Sequence, residues 1–148
     1  MIGINNRTKS KINLALVKKT TAIFLEFYNK NNSEISIAFI GDKAMRKLNK
    51  TYRDLDRVTD VLAFPAVVDR MSQEKLNPDL EVGMSFLGEI IIDYAQIKRQ
   101  AKKFSNSVNK EMVFILVHGL LHLLGYEDET KKGKKMMEDL AVRFINKL

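Results

Sequence analysis

Apolar residues recur with a helical period near the start of the chain and with a strand period just after it. Residues 8–30 are predicted to form an amphipathic helix, because their apolar positions fall on one face and polar residues lie between them. The members of that face are Ile12, Leu16, Ile23 and Phe27. Residues 35–39 then alternate between large apolar and small residues, which predicts a half-buried strand ending at Gly41.

The middle of the chain contains two runs rich in β-branched and other apolar residues. On this basis residues 58–64 and 87–92 are predicted to be strands, and residues 43–50, before them, fit a short basic helix. Asp93 directly follows the second strand and is a residue type that caps helix N-termini, so a helix is expected after it. The apolar positions of that helix are Tyr94, Ile97, Ala101 and Phe104.

Two more helices are predicted near the C-terminus. Residues 105–125 begin with serine and asparagine capping candidates and end in Gly125, which can adopt the left-handed conformation that terminates helices. Because residues 112–124 are apolar almost all round, this helix is expected to be central and buried. A last helix is predicted for residues 130–147, with an apolar face made of Met137, Leu140, Phe144 and Leu148.

These elements predict the α+β fold class, with one domain over residues 1–148 in which a small mixed β-sheet is covered by helices. Residues 66–86, between the two middle strands, contain an Asn-Pro turn signal and are predicted to form a mobile surface loop or a poorly ordered hairpin. The sequence does not decide between a functional loop and a dispensable insertion there.

Composition narrows the function classes. The 148 residues include no cysteine, which excludes a disulfide scaffold, a thiolate metal cluster and a cysteine nucleophile, so any metal site must use nitrogen and oxygen ligands. The net charge of +7 favours a polyanionic partner such as nucleic acid, although a solvated basic surface would give the same value. The apolar segments are too short for a signal peptide or a membrane helix, so a cytoplasmic protein without membrane contact is expected.

The chain has two histidines, His118 and His122, and both lie in the helix predicted to be most buried. Residues four apart stack on one face of a helix with Cβ atoms about 5–6 Å apart, so the two imidazoles can reach a single ion. The alternative is a pair of core histidines that each find their own hydrogen-bond partner, since a buried unpaired ring costs about 1–3 kcal/mol.

A glycine and Asp128 extend the histidine pair to the spacing His-x3-His-x2-Gly-x2-Asp. The glycine allows the helix to stop and the chain to double back, which brings a carboxylate towards the imidazoles. Three such ligands leave a fourth position open, as catalytic zinc sites do. Metzincin proteases share this outline but have a glutamate base directly after the first histidine, where this chain has Gly119. A metalloprotease would need its base from elsewhere, and the candidates are Glu89, Glu127 and Glu129.

The segment HGLLHLLGYED, residues 118–128, resembles the signature His-Gly-x-Leu-His-Leu-x-Gly-Tyr-Asp-His of the YbeY family of metal-dependent endoribonucleases. Residues 48–65, LNKTYRDLDRVTDVLAFP, are similar to the family's upstream segment, and residues 87–90, LGEI, resemble its Leu-Gly-Asp-Ile. The resemblance implies a zincin-like domain with a buried metal-ligand helix. It also implies cleavage of single-stranded RNA in ribosomal RNA processing, including 3′-end maturation of the small-subunit RNA, and a role in ribosome quality control.

The resemblance further implies one Zn²⁺ per chain, held by His118, His122 and Asp128. Asp128 stands where the family has a third histidine. A carboxylate is an accepted zinc ligand, but its charge makes a bound water less acidic and lets harder ions such as Mn²⁺ compete. The alternative is that Glu127 or Glu129 ligates the metal while Asp128 orients a histidine.

Arg53 aligns with an arginine that is treated as functionally essential in the family. A guanidinium can grip a phosphodiester with two hydrogen bonds and stabilise the charge that develops during cleavage. Arg53 and His118 are therefore the expected catalytic residues, and Lys47 and Lys50 are expected to bind substrate together with Arg53. The alternative for Arg53 is an ordinary ion pair with Asp54, Asp56 or Asp60.

Three function classes follow from these residues. The first is a metal-dependent endoribonuclease in which a divalent ion polarises the scissile phosphate or activates water while Arg53 clamps the phosphate. The second is a metalloprotease. The third is a non-catalytic RNA-binding ribosome-assembly factor with a structural metal. The expected partners are single-stranded or ribosomal RNA and the ribosome or its proteins, and the oligomeric state is left open.

Overall fold

The computed structural model describes residues 1–66 and 85–148, so most of the loop predicted for residues 66–86 lies outside the described residues. In the described part of the chain, strands and helices alternate up to the third strand, which is followed by another strand and then by three helices. In chain order the elements are β1 (Ile2–Asn6), α1 (Leu14–Phe27), β2 (Ser33–Ile40), α2 (Asp42–Arg53), β3 (Val61–Pro65), β4 (Ser85–Asp93), α3 (Tyr94–Lys103), α4 (Val108–Leu123) and α5 (Lys131–Ile145).

The strands form one mixed sheet in the order β1-β2-β4-β3. β1 and β4 both run parallel to β2, whereas β3 pairs antiparallel with β4 at the edge of the sheet. This arrangement, with helices packed on the sheet, confirms the predicted α+β class. The predicted strands at residues 35–39, 58–64 and 87–92 correspond to β2, β3 and β4, although β3 begins later, at Val61.

The strand β1 was not predicted from the sequence pattern. Its two isoleucines, Ile2 and Ile4, are separated by a glycine and followed by asparagines, so the run is too short and too polar to stand out. The strand forms because β2 offers backbone partners, with Ile4 lying opposite Ile37 in parallel register. Its structure is therefore set by tertiary pairing more than by local preference.

The helix α1 is shorter than the predicted range of 8–30, and its most buried residues lie beside the predicted apolar face. It begins after Asn13, whose side chain accepts a backbone N–H of the first turn at 3.1 Å. Of the predicted apolar face, Ile12, Leu16 and Ile23 are partly buried against the core, whereas Phe27 is 42% exposed and its predicted place was wrong. Threonines take part in the buried face because the hydroxyl of Thr21 donates to the carbonyl of Val17 at 2.7 Å. The buried residues are Val17, Thr20, Thr21, Phe24 and Leu25.

The helix α4 is central and buried, as its apolar composition predicted. It starts after the Ser107 cap and contacts β3, β4 and the helices α1, α3 and α5. Gly119 lets it approach the sheet closely, since a Cβ at this position would lie 3.2 Å from side-chain carbons of Val61 and Ile90. Within the described ranges, neither this helix nor another has the length and hydropathy needed to cross a membrane.

The helix α5 packs on α4 and closes the core at the C-terminal end. Its buried residues are Met137, Ala141 and Phe144. The Phe144 ring meets Phe24 of α1 edge to face, with centroids 5.2 Å apart. Leu148 lies beyond the end of the helix and is 51% exposed, so its predicted place on the apolar face was wrong.

An ion pair joins the start of α2 to α3. Arg99 donates to both carboxylate oxygens of Asp42, at 3.0 and 2.7 Å. Asp93, the predicted cap of α3, accepts from the backbone N–H of Gln96 at 3.3 Å and lies against Asp42. These contacts hold the N-terminal end of α2 to the end of β4, which helps to place Arg53 at the other end of α2.

Asp93 is fully buried, and its Oδ2 atom has no donor within the described part of the chain. Burial, followed by the hydrogen bond to the Asp42 carboxyl, raises the pKa of Asp93 from 3.8 to about 7. Hydrogen bonds from Arg99 lower the pKa of Asp42 to about 2. Asp93 is therefore protonated at mildly acidic pH.

The substitution Asp93→Asn is expected to raise the free energy of unfolding at pH 8 by about 1–3 kcal/mol, because asparagine keeps the cap and removes a buried charge. The stabilisation by protonated Asp93 is fully present below pH 3.8 and is lost as the pH rises through about 7. Urea unfolding from acid to mildly alkaline pH should show a steeper fall in stability for the wild type than for the variant.

The exposed Asp139 on α5 provides a matched control, and Asp139→Asn is expected to leave that pH dependence unchanged. If the free energy of unfolding fell equally with pH for the wild type and Asp93→Asn, Asp93 would not be neutral in the folded protein at mildly acidic pH.

Candidate metal centre

His118 and His122 lie one turn apart on the face of α4 that borders a cavity. Helix periodicity places residues four apart on the same face, and the two rings meet nearly at right angles with centroids 4.8 Å apart. The side chains are largely buried, being 20% and 23% exposed. α4 thus presents two fixed imidazoles to the cavity.

The chain turns back directly after α4 and brings Asp128 to the histidines. Gly125 has φ +99°, which confirms its predicted left-handed conformation at the end of this helix. The start of α5 then supports the turn, because a Cβ at Gly133 would overlap the carbonyl oxygen of Glu127. The two glycines therefore allow the close approach that places Asp128 beside α4.

Three potential ligand atoms converge in this arrangement. Asp128 Oδ2 lies 3.2 Å from His118 Nε2 and 3.5 Å from His122 Nε2, and the two Nε2 atoms are 3.2 Å apart. Ligands placed tetrahedrally at about 2.0–2.1 Å from zinc stand about 3.3–3.4 Å from one another. The three residues, called the ligand cluster below, therefore have the spacing of one face of a zinc tetrahedron.

The chemistry of this donor set fits a cation. Two imidazole nitrogens that face each other need a proton or a cation between them. Burial alone would raise the pKa of Asp128, but the imidazoles of His122 and His118 lower it below its ordinary value. An ionised carboxylate with two imidazoles is a ligand set that zinc accepts. The alternative of separate partners for the two histidines does not describe the structure, since both contact Asp128.

The neighbouring carboxylates stay outside this group. Glu127 and Glu129 are exposed, and among the described residues neither they nor Glu89 lines the cavity. A side chain at Gly119 would press on the sheet, so this position cannot carry the glutamate of a metzincin without a shift of its neighbours. Among the described residues, none of the three glutamates considered for the protease alternative therefore borders the cavity.

The cavity beside the ligand cluster has a volume of about 770 Å³ and is lined by α2, β3, α3, α4 and α5. Arg53, at the C-terminal end of α2, lines it together with the cluster, so these predicted site residues share one cavity. Lys47 and Lys50 are exposed on the same helix and do not line the cavity. The predicted contact of both lysines with substrate would therefore lie on the protein surface outside the cavity.

Arg53 makes no ion pair within 4.0 Å in the described ranges. Arg46, rather than Arg53, pairs with Asp56 at 2.8 Å. Asp60 accepts from the backbone N–H of Val61 at 2.7 Å. The alternative of an internal ion pair for Arg53 is therefore not formed in this structure, and its guanidinium is available to an anion in the cavity.

The cavity also contains polar residues that the sequence analysis did not identify. Glu111 is 5% exposed, yet it lines the cavity near Gln100 and Asp60. One signal was present, since Glu111 precedes His118 by seven residues and so shares its helix face. Asp60 and Gln100 are 40 residues apart, and no local spacing connects them.

Comparison with known proteins identifies relatives over nearly the whole chain. A sequence model of the family described as Endoribonuclease YbeY matches residues 3–148. The Endoribonuclease YbeY of Sulfurihydrogenibium sp. (strain YO3AOP1) is 36% identical, over 99% of this chain and 91% of its own length. That of Clostridioides difficile (strain 630) is 30% identical, over 97% of this chain and 93% of its own length.

A solved structure is similar in fold. The solution structure of TM1509 from Thermotoga maritima matches with a TM-score of 0.63 and 25% sequence identity. The match covers 98% of this chain and 87% of that chain. The likeness therefore extends across the α+β architecture that carries the ligand cluster.

Asp128→Ala and His122→Ala are each expected to weaken the binding of a divalent ion such as Zn²⁺ more than about 100-fold, because loss of residues that merely orient ligands already costs about 10–100-fold. Competition titration of chelator-treated protein against a zinc indicator would measure this change.

Glu127→Ala and Glu129→Ala serve as matched controls, since they remove neighbouring carboxylates outside the ligand cluster. If one of these variants lost zinc while Asp128→Ala retained it, the third ligand would be that glutamate. Circular dichroism of the metal-free variants would show that the fold is kept.

Proposed function

The chain belongs to the Endoribonuclease YbeY family, and on this premise we propose that it cleaves single-stranded RNA with one Zn²⁺ held by the ligand cluster. It is an endoribonuclease, a hydrolase that acts on RNA in ribosomal RNA processing. We assign it to the cytoplasm, to 3′-end maturation of the small-subunit RNA and to ribosome quality control, with the ribosome or its proteins as partners. The observation that carries the proposal is the ligand cluster opening on a cavity lined by Arg53.

The ligand cluster supports a catalytic metal because three protein ligands leave a coordination position on the cavity side. A divalent ion bound there would supply Lewis acidity to a phosphate and lower the pKa of a water molecule. Asp128 contributes a negative charge that a third imidazole would not, so Mn²⁺ is expected to replace Zn²⁺ more readily. The buried helix α4 carries both imidazoles, so their backbone positions are fixed by the packing of the core.

Arg53 supplies positive charge at another wall of the same cavity. Its guanidinium presents a planar fork of N–H donors that can bind two non-bridging phosphate oxygens. These hydrogen bonds would strengthen as negative charge builds up on the phosphate, which favours the transition state over the ground state. We therefore assign to Arg53 the clamping of the scissile phosphate.

Lys47 and Lys50 extend this positive charge beyond the cavity. Together with Arg53 they lie three residues apart along α2, which places them on one side of the helix. We assign to both lysines the neutralisation of phosphates on the strand that leads to Arg53. A flexible single strand can follow such a path with its bases turned into the cavity, whereas paired bases would first have to separate.

The two alternative functions are not favoured. A metalloprotease lacks its base at Gly119, which packs against the sheet. A non-catalytic assembly factor with a structural metal would be expected to close the site with four protein ligands. Within the described residues the ligand cluster has three, and they border the cavity.

Metal-loaded protein is expected to cleave a short single-stranded RNA labelled at its 5′ end, and His118→Ala is expected to lower the rate by at least about 10³-fold because it removes a metal ligand. Chelation should stop cleavage by the wild type, and addition of Zn²⁺ or Mn²⁺ should restore it. Gel electrophoresis of the products over time measures the rate.

The same RNA annealed to its complement is the substrate control and should remain intact. RNA binding with a steep salt dependence, but without cleavage after metal is restored, would favour the assembly factor. Hydrolysis by His118→Ala at the wild-type rate would exclude the ligand cluster as the catalytic centre.

The proposed division of roles on α2 predicts different kinetic effects. Arg53→Ala should lower kcat by about 10²–10³-fold with a small change in KM, as expected when a donor to developing charge is lost. Lys47→Ala and Lys50→Ala should instead raise KM and reduce the slope of log affinity against log salt by about 0.7 each. Steady-state kinetics and fluorescence anisotropy over a range of salt concentrations measure these effects.

Arg46→Ala is the matched control, because Arg46 is an exposed arginine on the same helix that pairs with Asp56 and lies outside the cavity. It should leave kcat unchanged. If Arg53→Ala changed only KM and the salt slope, Arg53 would bind a flanking phosphate rather than the scissile one.

A further inference from the structure

The face of α4 that carries the histidines also carries a buried carboxylate. Glu111 lies seven residues before His118, which corresponds to two helical turns or about 10 Å along the helix axis. Glu111 lines the same cavity and is 5% exposed. The cavity therefore continues from the ligand cluster to a second polar region that the proposed cleavage chemistry does not use.

A single amide connects the carboxylates of this region. Gln100 Nε2 donates to Asp60 Oδ2 and to Glu111 Oε1, both at 3.3 Å. Glu111 also accepts from Asn106 Nδ2 at 3.3 Å, and Gln96 Nε2 donates to Gln100 Oε1 at 3.1 Å. Hydrogen bonds thus hold both the oxygen and the nitrogen of the Gln100 amide, and this amide in turn orients the Asp60 carboxylate.

Two carboxylates in an RNA-binding cavity need an explanation, because they repel the phosphates that the basic residues attract. A carboxylate accepts hydrogen bonds at about four positions and donates none when ionised. Among nucleic-acid groups it therefore matches the amino groups on base edges, such as N4 of cytosine. Asp60 is the more accessible of the two, since it is half-buried while Glu111 is buried.

An exposed aromatic ring lies one helical turn from Gln100. Phe104, the C-cap of α3, is 58% exposed and lines the cavity. The ammonium of Lys103 lies 5.6 Å from its ring centroid, which adds a positive charge beside the ring. Exposed aromatic rings are the surfaces on which proteins stack the bases of single strands.

We propose that Phe104 and Asp60 form a nucleobase subsite that prefers a base with an exocyclic amino group, in a nucleotide close to the cleaved bond. The base stacks on Phe104 and donates its amino group to Asp60, while Glu111 positions the subsite through Gln100. Lys103 neutralises the phosphate of the same nucleotide. This inference rests on the proposed action on single-stranded RNA and adds base preference to it.

The test uses zinc-loaded protein and uridine oligonucleotides that carry one cytidine, guanosine or inosine at successive positions. Cytidine has an amino group where uridine has a carbonyl, and guanosine has one that inosine lacks. At one position relative to the cleaved bond, the wild type should cleave the cytidine substrate about tenfold faster than the uridine one, and the guanosine substrate faster than the inosine one.

Asp60→Asn should lower the ratio of cytidine to uridine cleavage to one or below, since the NH₂ group at the Oδ2 position donates to the uridine carbonyl and cannot accept from the cytidine amino group. The variant keeps a side-chain oxygen for the N–H of Val61 and loses the hydrogen bond from Gln100 Nε2, which Oδ2 accepts in the wild type. Phe104→Ala should raise KM about tenfold for all substrates, and Phe104→Trp should restore it because the larger ring stacks as well. A merely structural role for either residue would not change base preference or respond to a new aromatic ring.

Matched controls lie on α1, away from the cavity. Phe27 is also an exposed aromatic residue, with the ammonium of Lys147 at 4.6 Å from its ring centroid, so Phe27→Ala should leave KM unchanged. Glu26→Gln removes one exposed negative charge and should leave the base ratio unchanged. These variants separate local recognition from general effects of aromatic surface and charge.

The experiments distinguish a failure of the subsite proposal from a failure of the endoribonuclease proposal. A wild type that cleaves RNA with no base preference, or an Asp60→Asn variant that keeps the preference, would overturn the subsite and leave the endoribonuclease proposal intact. If the wild type cleaved no RNA, the binding affinity for the same oligonucleotides, measured by fluorescence anisotropy, would decide whether the subsite exists. Tighter binding of the cytidine strand that is lost in Asp60→Asn would support the subsite, and equal binding would overturn it as well.

Discussion

The two imidazoles on α4 constrain the rest of this structure, because a buried helix cannot hold two polar rings without giving them a partner. The helix is buried by its apolar residues, and Gly119 brings it close to the sheet. The partner must then come from another segment, and the turn at Gly125 returns the chain so that Asp128 meets both rings. The contacts within the ligand cluster thus satisfy the polar groups of the two imidazoles, and they also bring three potential metal ligands together.

The remaining elements place a positive charge in the cavity beside the ligand cluster, and within the described residues no internal ion pair neutralises that charge. α2 carries Arg53 to the cavity, and its opposite end is tied down by the pair of Asp42 and Arg99. Internal ion pairs use other arginines, so the guanidinium of Arg53 stays available. Two of the acidic residues that line the cavity, Asp60 and Glu111, lie together, where Gln100 donates to both. In the proposed function, the separation of Arg53 from these two carboxylates gives an RNA strand distinct places for its phosphates and its bases.

Sequence reasoning succeeded where the determinants are local. The spacing of His118, His122 and Asp128 depends on one helix and one turn, so it could be predicted together with the buried character of α4. It failed where the determinants are tertiary. β1 depends on pairing with β2, and α1 buries threonines because a hydroxyl finds a carbonyl within its own helix. The contact of Gln100 with Asp60 joins residues that are 40 positions apart, and no periodicity could indicate it.

The antiparallel pairing of β3 has a consequence for self-association. The carbonyl of Asp60 accepts from Asp93 N–H, and Ala66 N–H donates to the carbonyl of Leu87. The alternate residues of β3, among them Pro65, therefore turn their backbone groups outward. A proline offers no N–H to an incoming strand. Among the described residues, the outer side of β3 therefore lacks one backbone donor that an added strand would need, next to the cavity that β3 lines.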